Sequence, residues 1–533
     1  MNTNCLKPFL LMAFACMSII ATAYDFMADG LAYLVNDDGM TATVTYLERR
    51  NAANYSDLTT VVIPSQVTNP ADGKLYTVTT IGESAFYSNK TITSITVPPT
   101  ITRMEKDAFG TSMPSKTVVH ISDLASWCAI DFENAGANPL YNMIPLYLNG
   151  EMVTDLVIPK GINKINRFAF IRCKSITSLT IEADVPAIES EAFRQCTGLT
   201  RADIVGNVVT IDSSAFQLCS KLESISLPAS VDTLGPSVFA SCTSLTSFDC
   251  PPQVRTITRN AFRGCTQLAT VTLGPKVEII GSTAFSQCKN LTSINYPQGL
   301  RAIGSNAFNG CALLASADLP ISCSDVRHNA FLGTKWLNDQ PDGVAYAGYV
   351  AYAFKGTMPD AYHLQLRDSI VGIAQYAFYN QKSLEKVTLP FTMFDLGGWS
   401  FSNCSNLKEV HCKMKAPRYT ASQYNLYGGW AVFLGVNLSE AKLYVPVGCK
   451  NAYATSVWNQ FGEIIEEGFI VGDATGDNKV DVEDVNAIIN VILKAASPEE
   501  YIGKVDVNSD GKVDVEDVNG VINLILGLSF FNE

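Results

Sequence analysis

Large apolar residues recur along most of this chain at a fixed interval of 23 residues. Eight phenylalanines form one unbroken series with that spacing: Phe170, Phe193, Phe216, Phe239, Phe262, Phe285, Phe308 and Phe331. Phe86 and Phe109 share the interval, and so do Phe378 and Phe401. A fixed internal period predicts a repeat protein, in which each unit packs only against its neighbours.

Apolar and polar positions follow the same order within each repeat. Cysteine stands three residues after the phenylalanine at seven places: Cys173, Cys196, Cys219, Cys242, Cys265, Cys288 and Cys311. Further along, apolar and polar residues alternate, as in Ile225-Ser226-Leu227, which predicts a short strand with one buried face. Proline often follows, as at Pro228, and ends the strand because it has no N–H to donate. Stacked units of this kind predict a strand-rich, right-handed solenoid.

Two intervals depart from the period. The stretch from Phe109 to Phe170 is clearly longer than two periods, and the stretch from Phe331 to Phe378 slightly exceeds two periods. Neither stretch has the composition of a linker, and both still contain alternating segments. We therefore interpret them as degenerate or inserted repeats rather than as domain breaks.

Fifteen cysteines raise the question of disulfide bonds. Cys5 and Cys16 belong to an N-terminal leader, and eleven of the other thirteen stand where the repeat requires a small or apolar side chain. Only Cys128 and Cys449 lie outside that register. We expect a ladder of reduced, buried thiols, with cross-linked repeats or a metal site as the alternative. The ladder lacks the histidines and the C-x-x-C spacing of a zinc site.

After Gly472 the repeat ends and a second duplication begins, in which Asp473 of the first copy corresponds to Asp506 of the second. Two acidic segments carry oxygen ligands at loop positions 1, 3, 5, 7, 9 and 12, the spacing of a calcium-binding EF-hand loop. The first set is Asp473, Thr475, Asp477, the Lys479 carbonyl, Asp481 and Asp484. The second set is Asp506, Asn508, Asp510, the Lys512 carbonyl, Asp514 and Asp517. The sequence therefore predicts two calcium ions, one in each loop.

An amphipathic helix is predicted after each loop. Its apolar positions in the first copy are Val485, Ile488, Ile489, Ile492 and Leu493. In the second copy they are Val518, Val521, Ile522, Ile525 and Leu526. The carboxylates of each loop repel one another without a cation, so we expect this module to need metal in order to fold. Thr475 and Asn478 replace better loop residues, which predicts weaker calcium binding in the first loop.

These patterns resemble two known families. The repeat, as in LESISLPASVDTLGPSVFASCTSL, resembles the BspA-like leucine-rich repeats of bacterial surface proteins. The segment of about residues 472–528 resembles a type I dockerin domain, which has one helix after each loop and aspartate at loop position 12. The resemblances imply a leucine-rich-repeat solenoid followed by a small all-α calcium-binding domain.

The dockerin resemblance also implies docking to a cohesin-like protein. The family's contact positions carry identical residues in the two copies: Val482, Glu483, Ile489, Asn490, Val515, Glu516, Ile522 and Asn523. Either helix could therefore face the partner, and packing in the helix core is the alternative role of the isoleucines. The predicted domains are a signal peptide at 1–23, an N-terminal cap at 24–60, repeats at 61–437, a C-terminal cap and linker at 438–471, and the dockerin-like domain at 472–533.

The N-terminal segment 1–23 is typical of a secretory signal. Lys7 supplies a positive charge, residues 9–20 are apolar, and Ala21-Thr22-Ala23 is an A-x-A cleavage site. We therefore expect a secreted protein, extracellular or at the cell surface. No later segment has the roughly 18 apolar residues that a membrane span requires. The net charge of -13 argues against nucleic-acid binding, which needs a basic face.

No catalytic constellation stands out, so the chain is predicted not to be an enzyme. Its four histidines are scattered, and none stands beside a nucleophile motif. The resemblance to BspA-like repeats implies, as the favoured hypothesis, an adhesion protein whose solenoid binds an unknown host, bacterial or glycan ligand. The alternative is a non-catalytic subunit of a polysaccharide-degrading, cellulosome-type assembly. An aromatic segment at residues 424–430 is a candidate for glycan contact, with packing in a loop as its other interpretation.

Overall fold

The computed structural model of the chain describes residues 23–51, 53–417, 431–467, 472–475, 479–496, 505–508 and 512–528. The described residues belong to two compact units, 1–151 and 152–533. The proposed signal peptide, apart from its last residue, lies outside the described residues, and so does the aromatic segment 424–430.

The first unit is built from a seven-stranded and a five-stranded sheet. Its elements are β1 (Phe26–Ala28), β2 (Leu31–Val35), β3 (Thr41–Thr45), β4 (Thr60–Val62), β5 (Gln66–Thr68), β6 (Leu75–Ile81), β7 (Ser94–Val97), β8 (Arg103–Met104), β9 (Val118–Ile121), α1 (Leu124–Ala129), β10 (Asp131–Phe132), two 3-10 turns (Ala135–Ala137 and Pro139–Asn142), β11 (Leu146–Leu148) and β12 (Glu151–Met152). The first three strands pair antiparallel, and parallel stacking begins where β3 meets β6. The N-terminal strands thus differ from the repeats, as a terminal unit of a solenoid must.

The second unit continues as short strands that pair almost entirely in parallel. Its strands are β13 (Asp155–Ile158), β14 (Ser178–Ile181), β15 (Ala187–Ile188), β16 (Arg201–Ile204), β17 (Thr210–Ile211), β18 (Ser224–Ser226), β19 (Thr233–Leu234), β20 (Ser247–Asp249), β21 (Thr256–Ile257), β22 (Thr270–Thr272), β23 (Ile279–Ile280), β24 (Ser293–Ile294), β25 (Ala302–Ile303), β26 (Asp325–Val326), β27 (Gly343–Ala347), β28 (Val350–Lys355), β29 (Tyr362–Gln365), β30 (Gly372–Ile373), β31 (Leu384–Leu389), β32 (Asp395–Leu396), β33 (Glu409–Cys412), β34 (Lys442–Pro446) and β35 (Glu463–Glu467). Its helices are α2 (Lys335–Asp339), α3 (Lys450–Ala454), a 3-10 turn (Val457–Gln460), α4 (Val482–Ile492) and α5 (Val515–Ile525).

The parallel register equals the sequence period. Ser178 of β14 pairs with Arg201 of β16, and Thr270 of β22 pairs with Ser293 of β24, in each case one full period further along the chain. Each repeat is therefore one coil of the solenoid, as the spacing of the phenylalanines predicts. The repeat solenoid followed by a small helical module confirms the expected fold class.

The phenylalanines form the axis of the core. Phe170 and Phe193 stack with ring centroids 5.2 Å apart and planes 6° from parallel, and Phe262 and Phe285 stack at 5.3 Å and 2°. All four rings are fully buried. Stacking of identical rings buries each apolar surface against the next, which a single repeat lacks the partners to do.

The cysteines form a second buried ladder beside the rings. All thirteen cysteines from Cys128 to Cys449 are free thiols. From Cys196 to Cys311 each ladder thiol donates to a main-chain carbonyl oxygen of the preceding repeat; the Cys196 Sγ, for example, donates to the Phe170 carbonyl oxygen at 3.1 Å. Burial raises the pKa of Cys219 and of Cys265 to about 12, so these thiols stay protonated at neutral pH. The ladder cysteines thus occupy the small, buried positions that the repeat pattern predicts.

Two residues of most repeats adopt left-handed backbone, which the apolar pattern did not predict. They lie two positions before and two after the phenylalanine, as Asn306 (φ 57°) and Gly310 (φ 75°) do around Phe308. A non-glycine residue in this conformation costs about 1 kcal/mol or more. The cost recurs because the chain must turn sharply at both sides of each buried ring to return within one repeat.

The long interval between Phe331 and Phe378 is an insertion. It contains helix α2 and an antiparallel hairpin of β27 and β28. The Tyr352 hydroxyl accepts a hydrogen bond from the Phe331 N–H at 2.9 Å, and the rings of Tyr352 and Trp336 pack edge-on against Phe331. Parallel pairing resumes at once, because β28 pairs with β30. The insertion adds strands to the parallel pairing of the solenoid and does not interrupt it.

The described end of the solenoid is covered by aromatic side chains. Strand β35 pairs with β34 as the last strand of its sheet, and α3 and the following 3-10 turn lie between them in sequence. Tyr453 and Trp458 are fully buried there, and the Tyr453 hydroxyl donates to the Met414 carbonyl oxygen at 2.9 Å. None of the helices in the described ranges has both the length and the apolar character of a membrane span.

Candidate calcium-binding and docking module

Helices α4 and α5 both begin with a reciprocal cap. The Asp481 carboxylate accepts a hydrogen bond from the Glu483 N–H at 2.9 Å, while the Asp484 carboxylate accepts from the Asp481 N–H at 2.8 Å. Asp514 and Asp517 repeat the arrangement at the start of α5. The acidic residues that the calcium pattern requires at loop positions 9 and 12 are therefore also the residues that start each helix.

Asp484 joins the beginning of the first loop to the helix. One of its carboxylate oxygens accepts from the Thr475 N–H and from the Thr475 hydroxyl, both at 3.0 Å, and the other accepts from Asp481. The residue is fully buried. A buried carboxylate that bridges positions 3 and 12 brings the two ends of the loop together.

Asp517 does the same in the second loop. It accepts from the N–H groups of Val507 at 2.7 Å and Asn508 at 3.1 Å, and it is also fully buried. Burial raises the pKa of the Asp517 carboxyl, and the negative charge of Asp506 raises it further. A cation beside Asp506 and Asp517 would lower the pKa of Asp517 again, because it would compensate the buried charge and the repulsion between the two carboxylates.

The described donors fit a hard cation. Asp473, Asp484, Asp517 and Asn508 are buried and offer oxygen ligands through their carboxylates and side-chain amide. The side chains of Lys479 and Lys512 are exposed, and an ammonium group does not bind a cation. These two residues therefore offer only the main-chain carbonyl oxygen. Asp477 and Asp510, the predicted ligands at loop position 5, lie outside the described residues. Among the described residues alone, no group of three or more His, Cys, Asp or Glu side chains is arranged to hold a metal ion.

The module has a small apolar core that both copies share. We call these residues the module core: Ala474, Ala487, Ile488, Val505, Val507 and Val521. The predicted helix core is partly wrong, because Leu493 and Leu526 are exposed at 70% and 65% of their surface, and Ile522 and Ile525 are also exposed. The buried residues of the two helices include Ala487 and Gly520, which occupy equivalent positions in α4 and α5.

The family's contact positions lie mostly on the surface. Val482 and Val515, at the first turn of each helix, are exposed, and so are Glu483 and Glu516. Asn490 and Ile522 are exposed, whereas Ile489 and Asn523 are half-buried. Ile522 is exposed at 38% of its surface, so packing covers the larger part of this side chain. These side chains are available to a partner protein, and their role in binding stays a prediction.

The solenoid presents grooves on its outer surface. One of about 370 Å³ is lined by His363, Gln365, Lys386, Thr388, His411 and Glu467, among others. His411 lies between Glu409 at 3.1 Å and Glu467 at 2.5 Å, and its ring stacks on Tyr444 with centroids 4.1 Å apart. The hydrogen bond with His411 lowers the pKa of Glu409. This cluster ties β33 to the terminal strand β35.

Sequence reasoning missed this cluster, although Glu409 and His411 stand two residues apart on one strand and therefore share a face. Glu467 lies far beyond His411 in the sequence, and only the parallel register brings the two together.

A second groove of about 520 Å³ is lined by polar residues that include Asp232, Arg255 and Lys276.

Comparison with known families agrees with this architecture. Residues 50–135, 147–266, 233–340 and 350–426 match the family described as the BspA type leucine-rich repeat region. Residues 471–526 match the dockerin type I domain. No curated protein matches the sequence.

Several solved structures are similar to this chain. A leucine-rich repeat protein from Bacteroides ovatus is 22% identical, with 73% of this chain and 94% of that chain covered and a TM-score of 0.41. A leucine-rich cell surface protein from Faecalibacterium prausnitzii is 20% identical, with 83% and 94% covered and a TM-score of 0.29. The pneumococcal vaccine antigen PcpA is 17% identical, with 84% and 99% covered and a TM-score of 0.34. From the family matches, the chain belongs to the BspA-type leucine-rich repeat proteins and carries a C-terminal type I dockerin domain.

Proposed function

We propose that this protein is a secreted or cell-surface, non-enzymatic interaction protein with two binding parts. The solenoid binds a macromolecular ligand, and the C-terminal module docks to a cohesin-like protein with the help of two calcium ions. The observation that carries the proposal is the joining, in one chain, of a long repeat surface with a dockerin domain at its end. Both are interaction modules rather than catalytic ones.

The duplicated loops support two calcium ions. Each loop has its own buried aspartate at position 12, and each of these bridges the beginning of its loop to a capped helix. The proposed ligands are the twelve oxygen-bearing residues of the two loops, with Asp477 and Asp510 completing the sets. Because four carboxylates in each loop repel one another, docking is expected only while calcium holds the module folded.

A pull-down tests the docking role. The full chain, immobilised through an N-terminal tag, should retain a purified type I cohesin module in calcium and release it when a chelator is added. Isothermal titration with calcium should give two ions per chain. Retention of the cohesin in excess chelator, or no retention in calcium by a chain that binds two ions, would contradict the proposal.

A glycan ligand for the solenoid is the second candidate, and an aromatic cluster favours it. Tyr376 and Trp399 stack with centroids 5.3 Å apart, and Tyr379 and His328 pack against Tyr376. Tyr379 is exposed, and its hydroxyl accepts a hydrogen bond from the Asn403 side chain at 3.2 Å. Aromatic rings beside amide and hydroxyl groups are suited to sugar rings, which have apolar and polar edges.

A carbohydrate array separates this candidate from protein adhesion. Binding of the full chain to a polysaccharide, weakened by Tyr379→Ala but not by Leu332→Ala, would favour a subunit of a polysaccharide-degrading assembly. Leu332 is exposed to the same extent as Tyr379, so it controls for a general loss of apolar surface. An array without any bound glycan would leave protein adhesion as the function of the solenoid.

A further inference from the structure

One exposed face of the solenoid carries charges of alternating sign. It lies along the second short strand of four successive coils, β19, β21, β23 and β25. The residue just before each of these strands is charged, and we call the four residues the charge ladder: Asp232, Arg255, Glu278 and Arg301. The same position is uncharged in the coils on either side, where Val209 and Ser324 occupy it. The alternation is therefore confined to four coils.

The main chain holds these charges one coil apart. The Glu278 N–H donates to the Arg255 carbonyl oxygen at 2.9 Å, and the Arg301 N–H donates to the Glu278 carbonyl oxygen at 2.8 Å. In the first of the four coils, the Gly235 carbonyl oxygen accepts from the Thr258 hydroxyl of the next coil at 2.9 Å. Neighbouring charges are therefore separated along the solenoid by about 4.8 Å, the spacing of paired strands.

Ion pairing within the charge ladder is incomplete. Arg255 and Glu278, the two inner residues, pair at 2.6 Å. Asp232 and Arg301, the two outer residues, are both exposed, and neither joins an ion pair within the described part of the chain. The Asp232 carboxylate accepts a hydrogen bond from the Thr233 hydroxyl at 2.8 Å. A single chain thus leaves an unmatched negative charge at one end of the ladder and an unmatched positive charge at the other.

The order of signs in the ladder is complementary to its own reverse. If a second copy of the chain lies antiparallel on this face, Asp232 comes opposite Arg301 of the second copy, and Arg255 comes opposite Glu278. Each charge then faces the opposite sign, and the arrangement has two-fold symmetry. A parallel copy in register would put like charges opposite each other, which is repulsive. The ladder therefore favours an antiparallel second copy.

The shape of the face fits the same arrangement. The groove of about 520 Å³ lies in the half of the face that contains Asp232 and Arg255, and Thr256 contributes to its lining. Ile279, in the other half, is exposed at 42% of its surface. Antiparallel alignment puts Ile279 opposite Thr256 of the second copy, so the exposed apolar side chain of each copy meets the groove of the other. Burial of this side chain would add to the attraction between the charges.

We propose that this face is a two-fold interface between two copies of the chain, aligned antiparallel through the charge ladder. The pair of Asp232 and Arg301 occurs twice in such a dimer and supplies the charge compensation that the single chain lacks. Contact over four coils is small, so the dimer is weak and dissociates as the salt concentration rises. A dimer also carries two C-terminal modules, which makes it bivalent toward a partner that has several docking sites.

Analytical ultracentrifugation of the full chain in calcium tests the interface. At low salt the unsubstituted chain should sediment as a monomer–dimer equilibrium, and about 0.5 M salt should shift it to monomer, because salt screens the charge pairs. Asp232→Arg and Arg301→Asp each turn two attractive contacts per dimer into repulsive ones, so each should weaken the dimer about tenfold or more. Lys221→Asp, an equal change of charge at an exposed position outside the face, should alter it less than about twofold.

A mixture of the two ladder variants separates pairing between chains from any effect on folding. Asp232→Arg has two positive outer charges and Arg301→Asp has two negative ones, so each variant repels its own copy and attracts the other. The equimolar mixture should therefore dimerise about as tightly as the unsubstituted chain. Circular dichroism of each variant should be unchanged, since both positions are exposed.

The outcomes decide the proposal at two levels. If the unsubstituted chain is a monomer at every concentration in low salt, the face is not an interface between copies. If a dimer forms but Lys221→Asp weakens it as much as the ladder variants do, or the mixture of variants stays monomeric, the copies do not meet through the charge ladder.

Discussion

The solenoid keeps almost all of its described charged groups at least partly exposed, with Asp395 of β32 as a buried exception, whereas the C-terminal module buries carboxylates at the start of both its helices. In the solenoid, Arg255 and Glu278 pair at 2.6 Å between neighbouring coils with both side chains partly exposed, and the core consists of stacked phenylalanine, leucine and cysteine. In the module, Asp484 and Asp517 are fully buried beside a core of six small or medium apolar residues. The first region is stabilised mainly by apolar burial, and we propose that the second depends on a cation to balance its own charges.

Removal of calcium should have the largest effect and should act on one region only. A chelator is expected to unfold α4 and α5 completely, because the small module core does not offset the repulsion among the loop carboxylates. Hydrogen exchange followed by mass spectrometry should show full exchange in residues 482–492 and 515–525, with unchanged protection in the solenoid strands. If α4 and α5 stay protected from hydrogen exchange in chelator, the module does not depend on calcium for its fold, and the two regions do not differ in this respect.

Truncation of one stacked ring should have the converse effect. Phe216→Ala is expected to cost about 3–5 kcal/mol of unfolding free energy, because it leaves a cavity between two neighbouring rings. Urea unfolding followed by circular dichroism measures the loss, and calcium affinity should not change. Leu313→Ala is the control at an exposed position, where less than about 0.5 kcal/mol is expected. A mild effect of Phe216→Ala would mean that the ring stack contributes little.

Alkaline pH should destabilise the solenoid more than the module. Burial raises the pKa of Cys219 and Cys265 from 9.0 to about 12, so their contribution to stability is complete below pH 9 and is lost as pH rises toward 12. The module contains no cysteine. Thermal melts between about pH 8 and pH 11 should show a falling midpoint for the solenoid, and a smaller fall in Cys219→Ala/Cys265→Ala. An identical pH profile of the variant would exclude the thiols of Cys219 and Cys265 as a cause.

The smallest effect is expected from an exchange between the two calcium loops. The Thr475 hydroxyl donates a hydrogen bond to the Asp484 carboxylate at 3.0 Å, whereas the side-chain amide of the equivalent Asn508 offers its carbonyl oxygen as a ligand. Thr475→Asn should therefore strengthen the first site, and Asn508→Thr should weaken the second, each by less than about tenfold, which equals about 1.4 kcal/mol. Calcium titration calorimetry measures both. If Asn508→Thr leaves the second site unchanged, position 3 does not set the ranking of the loops.

Much of the solenoid was predictable because its repeats share the same pattern of apolar positions. Each coil contacts only neighbouring coils with the same pattern, so a position that faces inward in one coil faces inward in all of them. The sequence period therefore identifies the buried positions. The left-handed turn residues were not predictable in the same way, since polar residues such as Asn306 and aromatic ones such as Tyr376 both occupy them. Their conformation is imposed by closure of the coil, not by their own preference.

The sequence by itself determined the repeat length, the buried positions of phenylalanine and cysteine, and the two acidic loops with their capped helices. These features depend on contacts between residues near in sequence or one period apart. Only the tertiary structure decided that His411 meets Glu467, and that Ile492 packs against the module core while the equivalent Ile525 is exposed at 40% of its surface. The reason is that a small duplicated core takes some of its packing partners from distant segments, so similar local sequences can bury different surfaces.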